Sequence, residues 1–156
     1  MVVEENFTSL AQKYMDTVFR LAFSYLKSRA DADDVTQNVL LALYRTDKAF
    51  ESEAHVKNWL IRVTVNECKK FWRSPWRRAE DIDAYVSALS FEDRDNRALF
   101  DAIMALDKKY RAVIVLHYYE GYSIREMAEI LGAPTGTVGV WLSRARERLK
   151  LELTEA

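Results

Sequence analysis

Tyr122-Ser-Ile-Arg-Glu-Met-Ala-Glu-Ile-Leu-Gly-Ala-Pro-Thr-Gly-Thr-Val-Gly-Val-Trp-Leu-Ser-Arg-Ala-Arg146 is the stretch on which the fold turns. Ser123 and Glu126 form a capping box: the serine side chain accepts from the backbone N–H three residues on, and the glutamate accepts in return. The helix so opened carries Ile124, Met127, Ala128 and Leu131 inward. Gly132-Ala133-Pro134 breaks it, and Thr135 or Thr137 caps a last helix with the inner stripe Val138, Leu142, Ala145 and Leu149. Helix, short glycine-containing break, helix is the helix-turn-helix pattern. Its second helix enters the DNA major groove with its N-terminal half at the base edges. The outer face here offers Val140, Ser143, Arg144 and Glu147, flanked by Arg146, Arg148 and Lys150. An ordinary helical hairpin with a solvated basic tail also has this pattern; Gly132, Pro134 and the capping box together favour DNA.

Outward from this motif the chain reads as all-helical. Four glycines and two prolines in 156 residues are too few for the many tight turns of a sandwich or barrel. Hydrophobic residues at 49% and charged residues at 30% describe a foldable, soluble chain. Cys68 is the sole cysteine and excludes an internal disulfide, and His55 and His117 leave too few ligands for a Cys/His zinc site. No apolar run approaches the roughly 20 residues that span a bilayer. The start Met1-Val-Val-Glu-Glu lacks a basic signal region, so the expected location is the cytoplasm, with no membrane insertion.

The net charge of −1 hides a partition. Residues 1–73 hold 11 basic and 10 acidic side chains, residues 74–96 hold three and six, and residues 97–156 hold nine and eight. An acidic segment separates two near-neutral halves, giving two small helical domains, 1–73 and 97–156, joined by a linker at 74–96.

In the first half, apolar spacing predicts a helix over 7–27 on Leu10, Tyr14, Val18, Leu21, Ala22 and Tyr25. A second is expected over 31–44, with Asp31 as N-cap and Val35, Val39, Ala42 and Leu43 inward. A loop over 47–54 leads to a third helix over 55–72, stopped by Pro75. In the linker, Ile82, Tyr85, Val86 and Leu89 suit a short amphipathic turn. Helices resume at Arg97; Asp107 caps one that runs to Glu120, with Gly121 as its stop.

Two further patterns carry chemistry. On the third helix, Arg62, Asn66, Lys69, Lys70 and Arg73 share an arc of roughly 100° at helical spacing, with Trp59, Trp72 and Trp76 close in sequence. Such a stripe suits phosphate contact and base stacking; taken alone, a solvated basic face over core tryptophans fits slightly better. On the second helix, Asp31, Asp33, Asp34 and Gln37 lack the glycine and closing glutamate of a calcium loop. They read as an acidic helix start or as a docking surface for a basic partner, extended by Leu40 and Leu41. Cys68 and His117 read as structural, and no nucleophile–base pair or glycine-rich phosphate loop supports catalysis.

Four ordered motifs now stand together: Asp31-Ala-Asp-Asp-Val-Thr-Gln37, Asn58-Trp-Leu-Ile-Arg-Val-Thr-Val-Asn66, Tyr122 to Gly132, and Gly136-Thr-Val138 with Leu142-Ser-Arg-Ala-Arg146. Together they resemble bacterial RNA polymerase sigma factors, best the two-domain extracytoplasmic-function (group IV) type, over about residues 10–73 and 97–150. The resemblance implies a non-enzymatic subunit that binds core RNA polymerase and directs promoter recognition, with no cofactor and no metal. Asp33, Asp34, Gln37, Leu40 and Leu41 would dock on the polymerase clamp. Phe50 in the Phe50–Asn58 loop, with Arg62, Asn66, Lys69, Lys70 and Arg73, would take the −10 element. Arg125, Thr135, Thr137, Val140, Ser143, Arg144 and Arg148 would address the −35 element. The acidic linker would thread the polymerase cleft. Partners so implied are core RNA polymerase and promoter DNA, with an anti-sigma factor as a third. The sequence departs from the family pattern where Asn38 replaces a glutamate, where Glu51 and Glu53 make the −10 loop acidic, and where Gly139, Val140 and Trp141 follow the Gly136-Thr-Val138 motif. The alternative is a stand-alone helix-turn-helix regulator of duplex DNA, which needs neither the acidic helix nor the basic stripe.

Overall fold

The computed structural model describes residues 4–72 and 94–155. The chain divides into two compact units, Met1–Ala79 and Glu80–Ala156. Among the described residues every regular element is helical. Most of the expected linker, with its Ile82–Leu89 turn, lies outside them.

The first unit packs α1 (Glu4–Leu26), α2 (Arg29–Arg45) and α3 (Glu53–Trp72) against one another. The stripe Tyr14, Val18, Leu21, Ala22 and Tyr25 is buried as its spacing required, and all of Leu21–Leu26 is enclosed. Val35, Val39 and Leu43 of α2 and Leu60, Ile61, Val65 and Cys68 of α3 complete the core. Two of its buried threonines satisfy their hydroxyls on the preceding turn: Thr36 donates to the Ala32 carbonyl and Thr64 to that of Leu60, both at 2.7 Å. Such bonds let a β-branched polar residue enter a helix interior without an orphaned donor.

The cap of α2 is Ser28 and not Asp31. Lys27 adopts a left-handed conformation at φ 52°, which turns the chain within one residue. Ser28 is then extended and its side chain accepts from the Asp31 N–H at 3.2 Å. Asp31 falls inside the first turn, still at the positive end of the helix dipole. The helix α3 also begins two residues earlier than expected, because Ser52 accepts from the His55 N–H at 3.1 Å. The Phe50–Asn58 segment is thus a short loop followed by the first turns of a helix.

In the second unit, α4 (Arg94–Met104) starts three residues before Arg97. Next come α5 (Lys108–Ile114), a π-helical turn over Val115–Tyr119, α6 (Ile124–Leu131) and α7 (Thr135–Glu155). The expected single helix from 107 to 120 is therefore two geometries. Asp107 holds the cap position, but its side chain makes no capping bond. At the far end the Glu120 N–H reaches the Val115 carbonyl at 3.1 Å, the wider π spacing. Gly121 at φ 77° then reverses the chain, and the Tyr122 N–H bonds the Leu116 carbonyl. His117 seals the turn, its Nδ1 lying 2.7 Å from the Tyr122 carbonyl oxygen, which confirms its structural role.

The capping box is complete: the Ser123 N–H donates to Glu126 Oε1 at 2.9 Å, and the Glu126 N–H to Ser123 Oγ at 3.1 Å. Gly132 ends α6 in the left-handed region at φ 67°, a conformation in which a side chain is strained. Pro134, not Thr135 or Thr137, stands at the start of α7, its carbonyl accepting from Val138 at 3.0 Å. Thr135 is already helical. Met127, Ala128, Val138, Leu142 and Ala145 are buried as expected. Ile130 takes a buried place, while Ile124 and Leu131 are half-buried.

Candidate polymerase and nucleic-acid interface

On α2 the expected docking residues share the face turned away from the core. Asp33, Asp34 and Gln37 are exposed, Leu41 is exposed and Leu40 half-buried. One turn further, exposed Tyr44 stands edge-on to Phe7 of α1 with ring centroids 5.2 Å apart. The acidic and apolar residues thus form one continuous strip, and Tyr44 extends it beyond what the sequence suggested.

The basic arc lies on α3. Arg62, Asn66 and Lys70 are exposed and Lys69 is half-buried. Arg73 lies outside the described residues, as does Trp76; of the Trp72 side chain nothing is described. Glu67, the acid beside this arc, is already engaged. Its carboxylate accepts from Lys70 Nζ at 2.9 Å and from Asn38 Nδ2 at 3.5 Å. The Asn38 of α2 is thereby tied to α3.

Phe50 ties the loop before α3 onto that helix. Its ring packs edge-on to His55 at 5.3 Å and to Trp59 at 5.6 Å. The His55 ring in turn accepts from the Glu51 N–H at 3.1 Å, so Nδ1 carries no proton in this arrangement. Glu53, one of the two acids that made this loop unfavourable for phosphate, is paired. Lys13 of α1 donates to both its carboxylate oxygens, at 2.7 and 2.8 Å. That hydrogen bond is the main reason the Lys13 ammonium holds its proton above the ordinary range. Both Glu51 and Glu53 are exposed to solvent.

On α7, Thr135, Val140, Ser143, Arg144 and Arg148 are exposed, and Thr137 is half-buried. Arg125 is exposed on α6. Two contacts of this helix were not readable in the sequence. Arg146 donates from Nε to the Tyr118 hydroxyl, and its guanidinium carbon lies 5.5 Å from the Tyr118 ring centroid. Trp141 is half-buried, with Lys109 Nζ of α5 5.7 Å from its ring centroid. Both pairs bridge α7 to the preceding α5 and π segment. The partner of Arg146 depends on the π turn, whose extra width per turn rotates Tyr118 relative to a regular helix. Helical periodicity therefore misplaces it.

Cys68 is enclosed at the α1–α3 contact, 4.0 Å from the Ala22 carbonyl oxygen. Burial pushes its thiol far above the ordinary value, so it is a core residue and not a nucleophile. Among the described residues no cluster of three or more His, Cys, Asp or Glu side chains is arranged to hold a metal ion. None of their helices is long and apolar enough to cross a membrane.

Comparison with known proteins accounts for both units. The sigma-70 region 2 family matches residues 10–78, and the sigma-70 region 4 family matches residues 96–149. The ECF RNA polymerase sigma-E factor of Haemophilus influenzae is 32% identical over 165 residues, spanning 94% of this chain and 87% of that protein. The ECF RNA polymerase sigma factor SigM of Mycobacterium tuberculosis is 32% identical over 147 residues, spanning 92% of this chain and 74% of its own. In fold the chain is similar to the sigma factor RpoE of Bartonella quintana, solved in complex with the anti-sigma factor NepR. The TM-score is 0.74 at 22% identity, over 96% of this chain and 98% of that one. A stand-alone helix-turn-helix regulator leaves the first unit unexplained, and the region 2 match sets that reading aside. The chain belongs to the ECF RNA polymerase sigma factors.

Proposed function

We propose that this sigma factor divides its work between the two units by surface. The α2 strip of Asp33, Asp34, Gln37, Leu40 and Leu41 docks on core RNA polymerase. The α3 arc of Arg62, Asn66, Lys69 and Lys70, with Arg73 and loop residue Phe50, takes the −10 element. The second unit addresses the −35 element through Arg125 of α6 and through Thr135, Thr137, Val140, Ser143, Arg144 and Arg148 of α7.

One observation carries this reading. The acidic–apolar strip and the basic arc are exposed on separate helices of one three-helix unit, so a basic protein surface and a DNA strand can each find a complementary helix. Charge complementarity selects the partner on each face. Phosphate contacts on the arc supply affinity, and Asn66 offers both a donor and an acceptor to a base edge. The protein acts by binding, in the cytoplasm beside core polymerase, and has no chemistry of its own. Because the Bartonella relative was solved with an anti-sigma factor, the same class of partner is proposed for this chain.

The test is run-off transcription by core polymerase with and without the chain on a promoter library. Transcripts that start at defined sites only when the chain is added support the reading. Unchanged transcription overturns it.

A further inference from the structure

Nine consecutive residues, Thr135 to Ser143, open α7 without a single charged side chain, in a protein that is 30% charged. The helix keeps its cations for Arg144 and beyond. At 100° per residue, Gly136, Gly139, Val140 and Ser143 share one arc of about 100°, opposite the buried Val138, Leu142 and Ala145. Within that arc Val140 is the one large apolar side chain, and it is 46% exposed. The glycines beside it stand clear: a Cβ built on Gly136 or Gly139 meets nothing within 4 Å. Val140 therefore projects from a surface of little more than backbone, and a groove wall can approach it closely. Trp141 does not compete for this place, since it is half-buried beside Lys109.

We infer that Val140 reads the methyl group of a thymine in the upstream promoter element. The inference rests on the proposed placement of α7 in the major groove, where the first half of a recognition helix faces base edges. Guanine is read there by the fork of an arginine or by a lysine, and the opening nine residues Thr135–Ser143 have neither. Thymine alone presents a methyl group in the major groove, and small apolar contact is how it is recognised. Serine and threonine hydroxyls accept several bases and leave the choice to Val140. Arg144 and Arg148, further along, then supply phosphate contact and affinity.

The test uses holoenzyme assembled from core polymerase and the full chain. The probe is a duplex promoter selected by that holoenzyme from DNA randomised upstream, remade with each upstream thymine replaced singly by deoxyuridine. Deoxyuridine lacks only the methyl group. One position is expected to weaken binding about three- to fivefold, the factor that one buried methyl group contributes. With Val140→Ala the loss at that position should shrink below twofold, and Val140→Ile should retain it. Equal thermal melting of the variants shows that folding is not the cause. The inference is overturned if no deoxyuridine position discriminates, if Val140→Ala discriminates as the parent does, or if the selected element carries no thymine on either strand. Scrambling the whole upstream element separates the two levels. If that has no effect, the groove placement itself fails; if it abolishes binding while deoxyuridine does not, only the methyl reading fails.

Discussion

Tyr118 is expected to fasten α7 to the rest of its unit, and its removal has a calculable cost. The hydroxyl accepts from Arg146 Nε, and the guanidinium carbon stands 5.5 Å from the ring centroid. Tyr118 is 55% exposed, so both interactions are diluted by water. An exposed cation–π contact contributes about 0.5–1 kcal/mol, and one hydrogen bond at the surface about 0.5 kcal/mol. Tyr118→Phe keeps the ring and should cost about 0.5 kcal/mol. Tyr118→Ala loses ring and hydroxyl, together with the edge-on contact to His117 at 4.8 Å, and should cost about 1–1.5 kcal/mol. For a domain of this size each kcal/mol lowers the melting midpoint by about 4–8 °C. The assay is hydrogen exchange of the α7 amides in the full chain, which reports on this unit alone. A double-mutant cycle pairs Tyr118→Ala with Arg146→Ala, and the expected coupling is about 1 kcal/mol. If the two changes add to within about 0.3 kcal/mol, the contact holds nothing and the reasoning fails.

Three further outcomes are expected. Asp34→Ala should lower core-polymerase affinity by about 1–3 kcal/mol while stability moves by less than about 0.5 kcal/mol, because Asp34 is exposed on α2 away from the core; equal affinity in a core-binding titration would remove it from the docking face. Asn66→Ala should reduce promoter opening more than closed-complex binding, since a pocket that holds an unstacked base offsets a few kcal/mol; permanganate footprints of equal strength from both proteins would end that role. Cys68 and Tyr25 are buried, and burial raises both pKa values above their ordinary 9.0 and 10.0. The unfolded chain releases these protons at the ordinary values while the folded chain keeps them. Stability should therefore be full below about pH 9 and decline above it, and Cys68 should resist a thiol reagent at pH 8 until urea unfolds the chain; rapid labelling of the native protein would contradict the burial.

Much of the molecule follows from interactions within four residues of chain, and those a sequence displays. The Ser123–Glu126 box, the Gly132 stop and the stripes Tyr14–Tyr25 and Val138–Ala145 came out as their spacing required. So did the separation of an acidic helix from a basic one, since charge and periodicity are both printed in the order of residues. The resemblance added the roles of those faces, which physical chemistry alone had left open between docking and a solvated surface.

Other features depended on how helices cross. Lys13 meets Glu53 across 40 residues, and Tyr118 meets Arg146 across 28, so neither pair has a signal in local spacing. The sequence therefore counted Glu53 as an uncompensated acid in the −10 loop, where folding pairs it with a lysine. The cap of α2 moved from Asp31 to Ser28 because Lys27 took a left-handed turn that residue type does not announce. The π turn over Val115–Tyr119 altered which side chains face α7, a rotation invisible to a reading at fixed helical pitch. Trp141 has a neighbour that local spacing does not display, because only the assembled unit sets Lys109 beside that ring. Local hydrogen bonding and apolar periodicity thus set the helices and their faces, while the partners of the long side chains were settled by packing between segments far apart in the chain.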